Sequence, residues 1–273
     1  MRIWLDGALR DADHAHVSVF DHGLTVGDGV FETVKAERGK AFALTRHLER
    51  LARSARGLGL PEPDLDEVRR ACTAVLDDNP VPLGRLRITY TGGISPLGSD
   101  RGDSGPTLLV ALGATTRRPD TTAVITVPWV RNERSAVAGL KTTSYAENVV
   151  ALAAANKAGA SEALFANTVG QLCEGTGSNV FVVLDGELYT PPVSSGCLAG
   201  ITRALVVEWV GAKEADLPLA ALERAEEVFL TSTLRDVQAV HRIDARTTQA
   251  APGPLTARAA RIFEERAADD LDP

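Results

Sequence analysis

Apolar positions follow a helical period in one early stretch of the chain and fall into short runs almost everywhere else. Leu44, Leu48, Leu51 and Ala55, with His47, sit at i, i+3, i+4 spacing, which predicts an amphipathic helix over 44–58. A second helix is expected over 64–76, with Pro63 close to its start. Pro80 and Pro82 then break the chain before a strand over 86–91. Residues 1–10 suggest two short strands around the Asp6-Gly7 turn, and further strands are expected at 17–20 and 30–36. Glu37-Arg38-Gly39-Lys40, between the run ending at Ala36 and Ala41-Phe42-Ala43, is a hairpin signal. Residues 92–106 form a long, Gly-containing loop segment, followed by a strand over 107–112.

The segment 114–121 is polar, contains Pro119 and has no periodicity, so it is taken as a linker. It divides the chain into domains at 1–113 and 122–273. In the second, strands near 123–127, 161–166, 179–184 and 227–231 alternate with helices near 145–158, 202–211 and 254–266. Mixed elements of this kind predict an α/β or α+β chain, and there is no internal repeat.

Composition narrows the function classes. At 273 residues the chain is long enough for one large or two small cores. A formal charge of −7 argues against nucleic-acid binding, which ordinarily shows a basic face. No run of about 18 apolar residues and no apolar leader near Met1 is present, so a soluble, cytoplasmic protein without a membrane partner is expected. Cys72, Cys173 and Cys197 lack CxxC spacing, which indicates neither a disulfide framework nor zinc. His14-x-His16 has ligand-like spacing but no acidic or Cys partners, so no metal is expected, and neither a P-loop nor GxSxG occurs.

Five lysines stand against 24 arginines. Lys141 lies in Ala138-Gly139-Leu140-Lys141-Thr142-Thr143-Ser144-Tyr145, between a strand-like and a helix-like run. A lysine among small and apolar residues can be partly desolvated, which makes its amine a better nucleophile. Thirty-three residues later comes Glu174, in a Gly/Ser/Thr-rich stretch expected to be a turn. An amine for an aldehyde and an acid for a ring nitrogen are two groups that pyridoxal phosphate requires of a protein.

These residues belong to a wider set: Phe20-Asp21-His22-Gly23, Gly27-Asp28-Gly29-Val30-Phe31-Glu32, His47-Leu48-Glu49-Arg50-Leu51, Leu140-Lys141, Glu162-Ala163-Leu164, Cys173-Glu174 through Asn179-Val180-Phe181, Gly200-Ile201-Thr202-Arg203 and Phe229-Leu230-Thr231-Ser232-Thr233. In this order and spacing the chain resembles the class IV, fold-type IV pyridoxal-phosphate enzymes. These include branched-chain and D-amino acid aminotransferases, R-selective amine transaminases and 4-amino-4-deoxychorismate lyases. The resemblance implies a two-domain α/β homodimer with the cofactor in the cleft between domains.

The resemblance also implies roles. Lys141 carries the cofactor as a Schiff base and moves protons, and Glu174 holds the pyridinium proton. Arg50, Ile201, Thr202, Ser232 and Thr233 bind the phosphate, the amides of Ile201 and Thr202 at the start of a helix. Tyr145 could approach the 3′-oxygen. The best-known D-amino acid aminotransferases place Tyr where Phe31 stands. They also hold the substrate carboxylate with an Arg and a His where Leu97 and Ser99 fall. That trap is therefore absent, and Arg101 is the candidate substitute. Val30-Phe31-Glu32 is transaminase-like, whereas Gly27-Asp28-Gly29 and Ser104-Gly105-Pro106 also resemble the lyases. The resemblance thus implies transfer of an amino group from D-amino acids or R-amines to a 2-oxo acid. The alternative is aminodeoxychorismate cleavage to 4-aminobenzoate and pyruvate.

Overall fold

Why a lysine so far along the chain packs with its first hundred residues is explained by an unfilled sheet edge. The computed structural model describes residues 1–248 and 250–273 and divides them into two compact units. The first comprises Met1–Arg117, Leu140–Tyr145 and Asp270–Pro273; the second, Arg118–Gly139 and Ala146–Asp269. The division falls within the polar 114–121 segment. It differs from a simple two-way cut, because Lys141 and the chain's last residues, expected in the C-terminal half, pack with the first unit.

Among the described residues of the first unit, strands β1 (Arg2–Leu5), β2 (Ala8–Asp11), β3 (Gly29–Glu37), β4 (Lys40–Ala41), β5 (Leu83–Thr91) and β6 (Thr107–Ala114) form one antiparallel sheet. Its order is β2-β1-β6-β5-β3-β4. Helix α1 (His22–Thr25) is short, and α2 (Leu44–Leu58) and α3 (Leu65–Asp78) cover the core. Leu48 and Leu51 of α2 and Val68, Ala71 and Val75 of α3 pack with Val30, Val34, Leu86, Ile88 and Val110 of the sheet. Side chains alternate faces along a strand, so Val30, Glu32 and Val34 share one face and Phe31 turns to the other.

Strand β4 is only two residues long and pairs β3 at Ala36 and Glu37. The same edge of β3 near Phe31 is filled by the lysine segment. Phe31 donates its amide to the Lys141 carbonyl at 3.0 Å, and Thr143 donates to the Gly29 carbonyl at 2.8 Å. The close approach requires Gly27, whose φ is +71° and whose added Cβ would lie 2.6 Å from the Ser144 hydroxyl. Helix α2 has no side-chain cap of its own, and Asp272 supplies one, accepting from the Thr45 amide at 2.7 Å.

Among the described residues of the second unit, β7 (Thr121–Arg131), β8 (Glu162–Asn167), β9 (Leu172–Gly175), β10 (Asn179–Leu184), β11 (Glu187–Thr190), β12 (Lys213–Glu214), β13 (Glu227–Ser232) and β14 (Asp236–Ile243) form a mixed sheet. It runs in the order β12-β11-β10-β13-β14-β7-β8-β9, with β15 (Arg246–Thr247) on β14. Strands β8 and β10 are buried at every position, their apolar runs 163–166 and 180–184 together with the flanking Glu162, Asn167 and Asn179. Helices α4 (Ala146–Lys157), α5 (Ile201–Val210), α6 (Ala221–Arg224) and α7 (Pro254–Asp269) complete the unit.

Two expectations are corrected. Residues 17–20 form no strand: Val17, Val19 and Phe20 are exposed, without a ladder partner to reward their β propensity. Glu174 lies on strand β9, opposite Phe165 of β8, and the turn begins only after it. The alternating stretch that becomes β14 escaped the sequence reading.

Candidate active site

In the first unit, β3, β5 and the lysine segment bring four side chains together. The Lys141 amine lies 4.3 Å from the Phe31 ring centre and donates to the Tyr145 hydroxyl at 3.4 Å. Phe31 and Tyr145 meet edge to face, with ring centres 5.0 Å apart. Lys141 is fixed from behind, its amide donating to the Ser54 hydroxyl of α2 at 3.2 Å. The fourth side chain is Arg87. Phe31 pairs with Thr89, so Arg87 is its diagonal neighbour on the same sheet face, with the guanidinium 3.3 Å from the ring centre.

Arg87 was legible as a strand residue but not as a functional one. Among the described residues no carboxylate comes within ion-pairing distance of it, and its side chain donates to the Thr89 hydroxyl at 3.3 Å. Burial pushes its pKa down to about 10, with Tyr145 and Glu32 opposing. It remains a cation at neutral pH.

Glu32, on the opposite face of β3, is fully buried and accepts from three donors. Arg50 supplies Nε at 2.8 Å and a terminal nitrogen at 2.7 Å, and His47 supplies Nδ1 at 2.7 Å. Burial alone would raise the Glu32 carboxyl, but the Arg50 charge and these hydrogen bonds outweigh it and hold it far below the usual range. Burial dominates for His47 and pushes it down, which keeps the imidazole neutral. Arg50 is thus a guanidinium held in one orientation on α2.

The expected substitute for the carboxylate trap, Arg101, is committed elsewhere. It binds Asp28 with Nε and one terminal nitrogen, each at 2.7 Å, and donates to the Gly59 and Leu58 carbonyls at 2.5 and 2.8 Å. These four bonds hold the loop base to α2 and engage most of the guanidinium's donors. Leu97 and Ser99 are exposed on the same loop.

In the second unit, Glu174 is gripped on both carboxylate oxygens. Arg131 donates to one at 3.1 Å, and the Leu198 amide to the other at 2.9 Å. Arg131 also pairs with Glu147 at 2.7 Å and stacks on Phe165. Nothing in the sequence distinguished Arg131 from the other arginines. Helix α5 opens at Gly200, with no side-chain cap, so the amides at Ile201 and Thr202 present the positive end of its dipole. An added Cβ on Gly200 would meet the Asn179 carboxamide at 2.0 Å, so this approach needs glycine. Ser232 and Thr233 follow at the end of β13. The hydroxyl of neighbouring Thr231 is buried without a hydrogen-bond partner, an arrangement native proteins rarely tolerate without a reason.

Taken unit by unit, the donors suit parts of a phosphorylated pyridine aldehyde: in the first, a lysine among aromatic rings for the aldehyde; in the second, an anchored carboxylate for the ring nitrogen and an uncapped helix start for the phosphate. Comparison with known proteins agrees. Residues 29–243 match the family model described as amino-transferase class IV, and the chain belongs to that pyridoxal-phosphate-dependent family. A putative branched-chain-amino-acid aminotransferase of Methanocaldococcus jannaschii is 36% identical, over 90% of this chain and 89% of that protein. A bifunctional aminodeoxychorismate lyase / D-amino acid transaminase of Mycobacterium tuberculosis is 31% identical, over 92% and 94%. The branched-chain aminotransferase of Thermoproteus uzoniensis, solved with norvaline, superposes with a TM-score of 0.91 at 29% identity, covering 97% and 94%. The pyridoxal-phosphate-bound form of a hypothetical aminotransferase from Mycobacterium tuberculosis superposes at 0.87 and 27% identity, covering 99% and 100%. The fold is that of the fold-type IV enzymes, and the family takes an amino donor and a 2-oxo acid.

Proposed function

We propose that the chain transfers the amino group of D-amino acids, and of R-configured amines, to a 2-oxo acid. The observation that carries an amino-acid substrate is Arg87, a half-buried cation with no acidic partner among the described residues, on the ring that also flanks the Lys141 amine. It is the anchor for the donor carboxylate, in place of the loop trap that Leu97 and Ser99 cannot form. The D-configured donor is supported by the D-amino acid transaminase activity in the name of the mycobacterial relative.

When bound, pyridoxal phosphate supplies an aldehyde to capture the amine and a ring to take up negative charge from Cα. Lys141 would hold the aldehyde and, once the substrate amine has displaced it, its freed amine would take the proton from the substrate Cα and deliver it at C4′. Tyr145 and Phe31 limit where its amine can point. Glu174, held in place by Arg131 and the Leu198 amide, would stand against the ring nitrogen and favour its protonated form. Arg50, Ile201, Thr202, Ser232 and Thr233 receive the phosphate.

The second reading, cleavage of aminodeoxychorismate, is favoured by the lyase activity in the name of the same relative and by the exposed Leu97 and Ser99, which leave room for a cyclic dicarboxylate. Single-donor half-reactions followed by absorbance separate the readings. D-alanine, D-glutamate or R-1-phenylethylamine should convert the cofactor to its amine form with release of the keto product. Conversion by L-leucine and L-valine alone would replace the D-configured donor. No conversion by any donor, with 4-aminobenzoate formed from aminodeoxychorismate, would establish the lyase.

Arg87→Met tests the anchor. It should raise KM for amino-acid donors by roughly 10- to 100-fold, the scale of one charge-assisted contact, while R-1-phenylethylamine, which has no carboxylate, is used as well as before. Equal losses with both donor types would remove Arg87 from the substrate site.

We also propose a homodimer. Val19, Leu24 and Leu97 are 69%, 67% and 74% exposed, and Val17, Phe20, Val26 and Ile94 are also exposed. The two stretches are joined by a bridge between Asp21 and Ile94. Exposed apolar residues grouped on paired stretches support an interaction site there. Sedimentation should give twice the chain mass for the native protein and a shift to monomer for Leu24→Glu; a native monomer would refute the dimer.

A further inference from the structure

Against the turn that leaves Glu174 lies a buried carboxylate that the proposed reaction does not use. Glu162, at the start of β8, is 2% exposed. It accepts from the Thr176 amide at 2.9 Å, from the Thr176 hydroxyl, and from the Ser178 hydroxyl at 2.9 Å. These donors span the turn that leaves Glu174. The turn is pressed so closely onto Glu162 that an added Cβ on Gly175 would lie 2.4 Å from the Ser178 hydroxyl and 3.0 Å from the Glu162 side chain.

One cation faces this carboxylate. Arg235, also buried, meets Glu162 at 3.3 Å, and its guanidinium binds the Ser161 carbonyl at 3.0 Å, the Ser161 hydroxyl at 3.2 Å, and the Gln238 carboxamide. Its amide closes the turn onto the Ser232 carbonyl at 3.1 Å. Arg235 is thus the last residue of the turn that carries Ser232 and Thr233. A buried ion pair contributes little net stability against an apolar alternative, but it fixes geometry, because neither charge can leave its partner.

We propose that Glu162 and Arg235 are positioning residues that lock the turn after Glu174 to the turn of Ser232 and Thr233. The spacing between the acid for the ring nitrogen and the hydroxyls for the phosphate is then set by one ion pair. This rests on the roles proposed above for Glu174 and Thr233. Neutralising Glu162 should release both turns together and move two properties at once, phosphate-dependent affinity and ring protonation.

The test uses full-length protein, titrated with pyridoxal phosphate and followed by visible absorbance across pH. Glu162→Gln is expected to weaken cofactor binding about tenfold, the scale at which partners behind a ligand act, and to shift the pH dependence of the absorption band. Ser178→Ala, which removes a single hydroxyl and leaves the ion pair, should move both in the same direction by less, and decides the matter if Glu162→Gln does not fold. The control for a merely structural role is Glu227→Gln. Glu227 is a buried carboxylate that caps α7, accepting from the Leu255 and Thr256 amides at 3.0 and 2.7 Å. It should lower the melting temperature without moving affinity or spectrum. If Glu162→Gln and Ser178→Ala behave like Glu227→Gln, the positioning role is overturned. If Glu174→Gln and Thr233→Ala also leave affinity and spectrum unchanged, the underlying roles fail, and the positioning role with them.

Discussion

Replacing Lys141 with alanine is expected to lower turnover by about 10⁴-fold or more, because one amine serves both to hold the cofactor aldehyde and to move the Cα proton. The fold should persist. Only the side chain is lost, while the backbone bonds that fill the β3 edge, Phe31 to the Lys141 carbonyl and Thr143 to the Gly29 carbonyl, remain. The melting temperature of the apo-protein should therefore stay near that of the parent. Borohydride reduction of the cofactor-loaded parent, followed by peptide mapping, should place the pyridoxyl group on the peptide containing Lys141. Recovery of the label on Lys35, Lys40, Lys157 or Lys213 would end the assignment. So would a Lys141→Ala protein that keeps its activity.

The second large effect is on stability and comes from Glu32. Glu32→Gln removes the charge that the Arg50 guanidinium, about 5% exposed, meets on β3. Breaking a buried pair on one side costs about 3–5 kcal/mol, measurable as a lowered urea midpoint at pH 7. The pH dependence follows from the directions of the shifts. His47 is harder to protonate in the folded protein than in the unfolded chain, so stability falls as pH drops below about 6.5. The Glu32 carboxyl is held far below its ordinary value, so its contribution is complete at neutral pH and is lost in acid, below about pH 4. The gap between parent and Glu32→Gln should consequently narrow as pH falls through the carboxylate range. An equal urea midpoint at pH 7, or a gap that does not change with pH, would show that the pair carries no such energy.

These two residues also show how differently the site could be read in advance. Lys141 stood out because lysine is scarce and its neighbours are small, and local sequence carries that information. Glu32 was visible only as part of a motif. Its charge state depends on His47 and Arg50, fifteen and eighteen residues away and one helical turn apart on α2. Arg87 gave no signal, since its role arises from strand register, which sets it diagonally across from Phe31. Arg101 shows the complementary case: its partner Asp28 lies 73 positions back along the chain, and spacing gave no sign of the pair.

Periodicity determined the long elements. Helix α2 spans 44–58 as expected, because apolar residues at helical spacing must bury one face wherever the helix docks. The buried strands β8 and β10 were equally legible, since continuous apolar runs have no other stable place. The motif order determined the family and its cofactor. Tertiary structure decided the rest: that Leu140–Tyr145 completes the edge left by a two-residue β4, that Asp272 caps α2, and that Glu174 sits on a strand with Arg131 against it. Each is a pairing between residues distant in sequence. Hydrogen bonds and ion pairs depend on distances of a few ångströms, and spacing along a chain does not specify those until the sheets have closed.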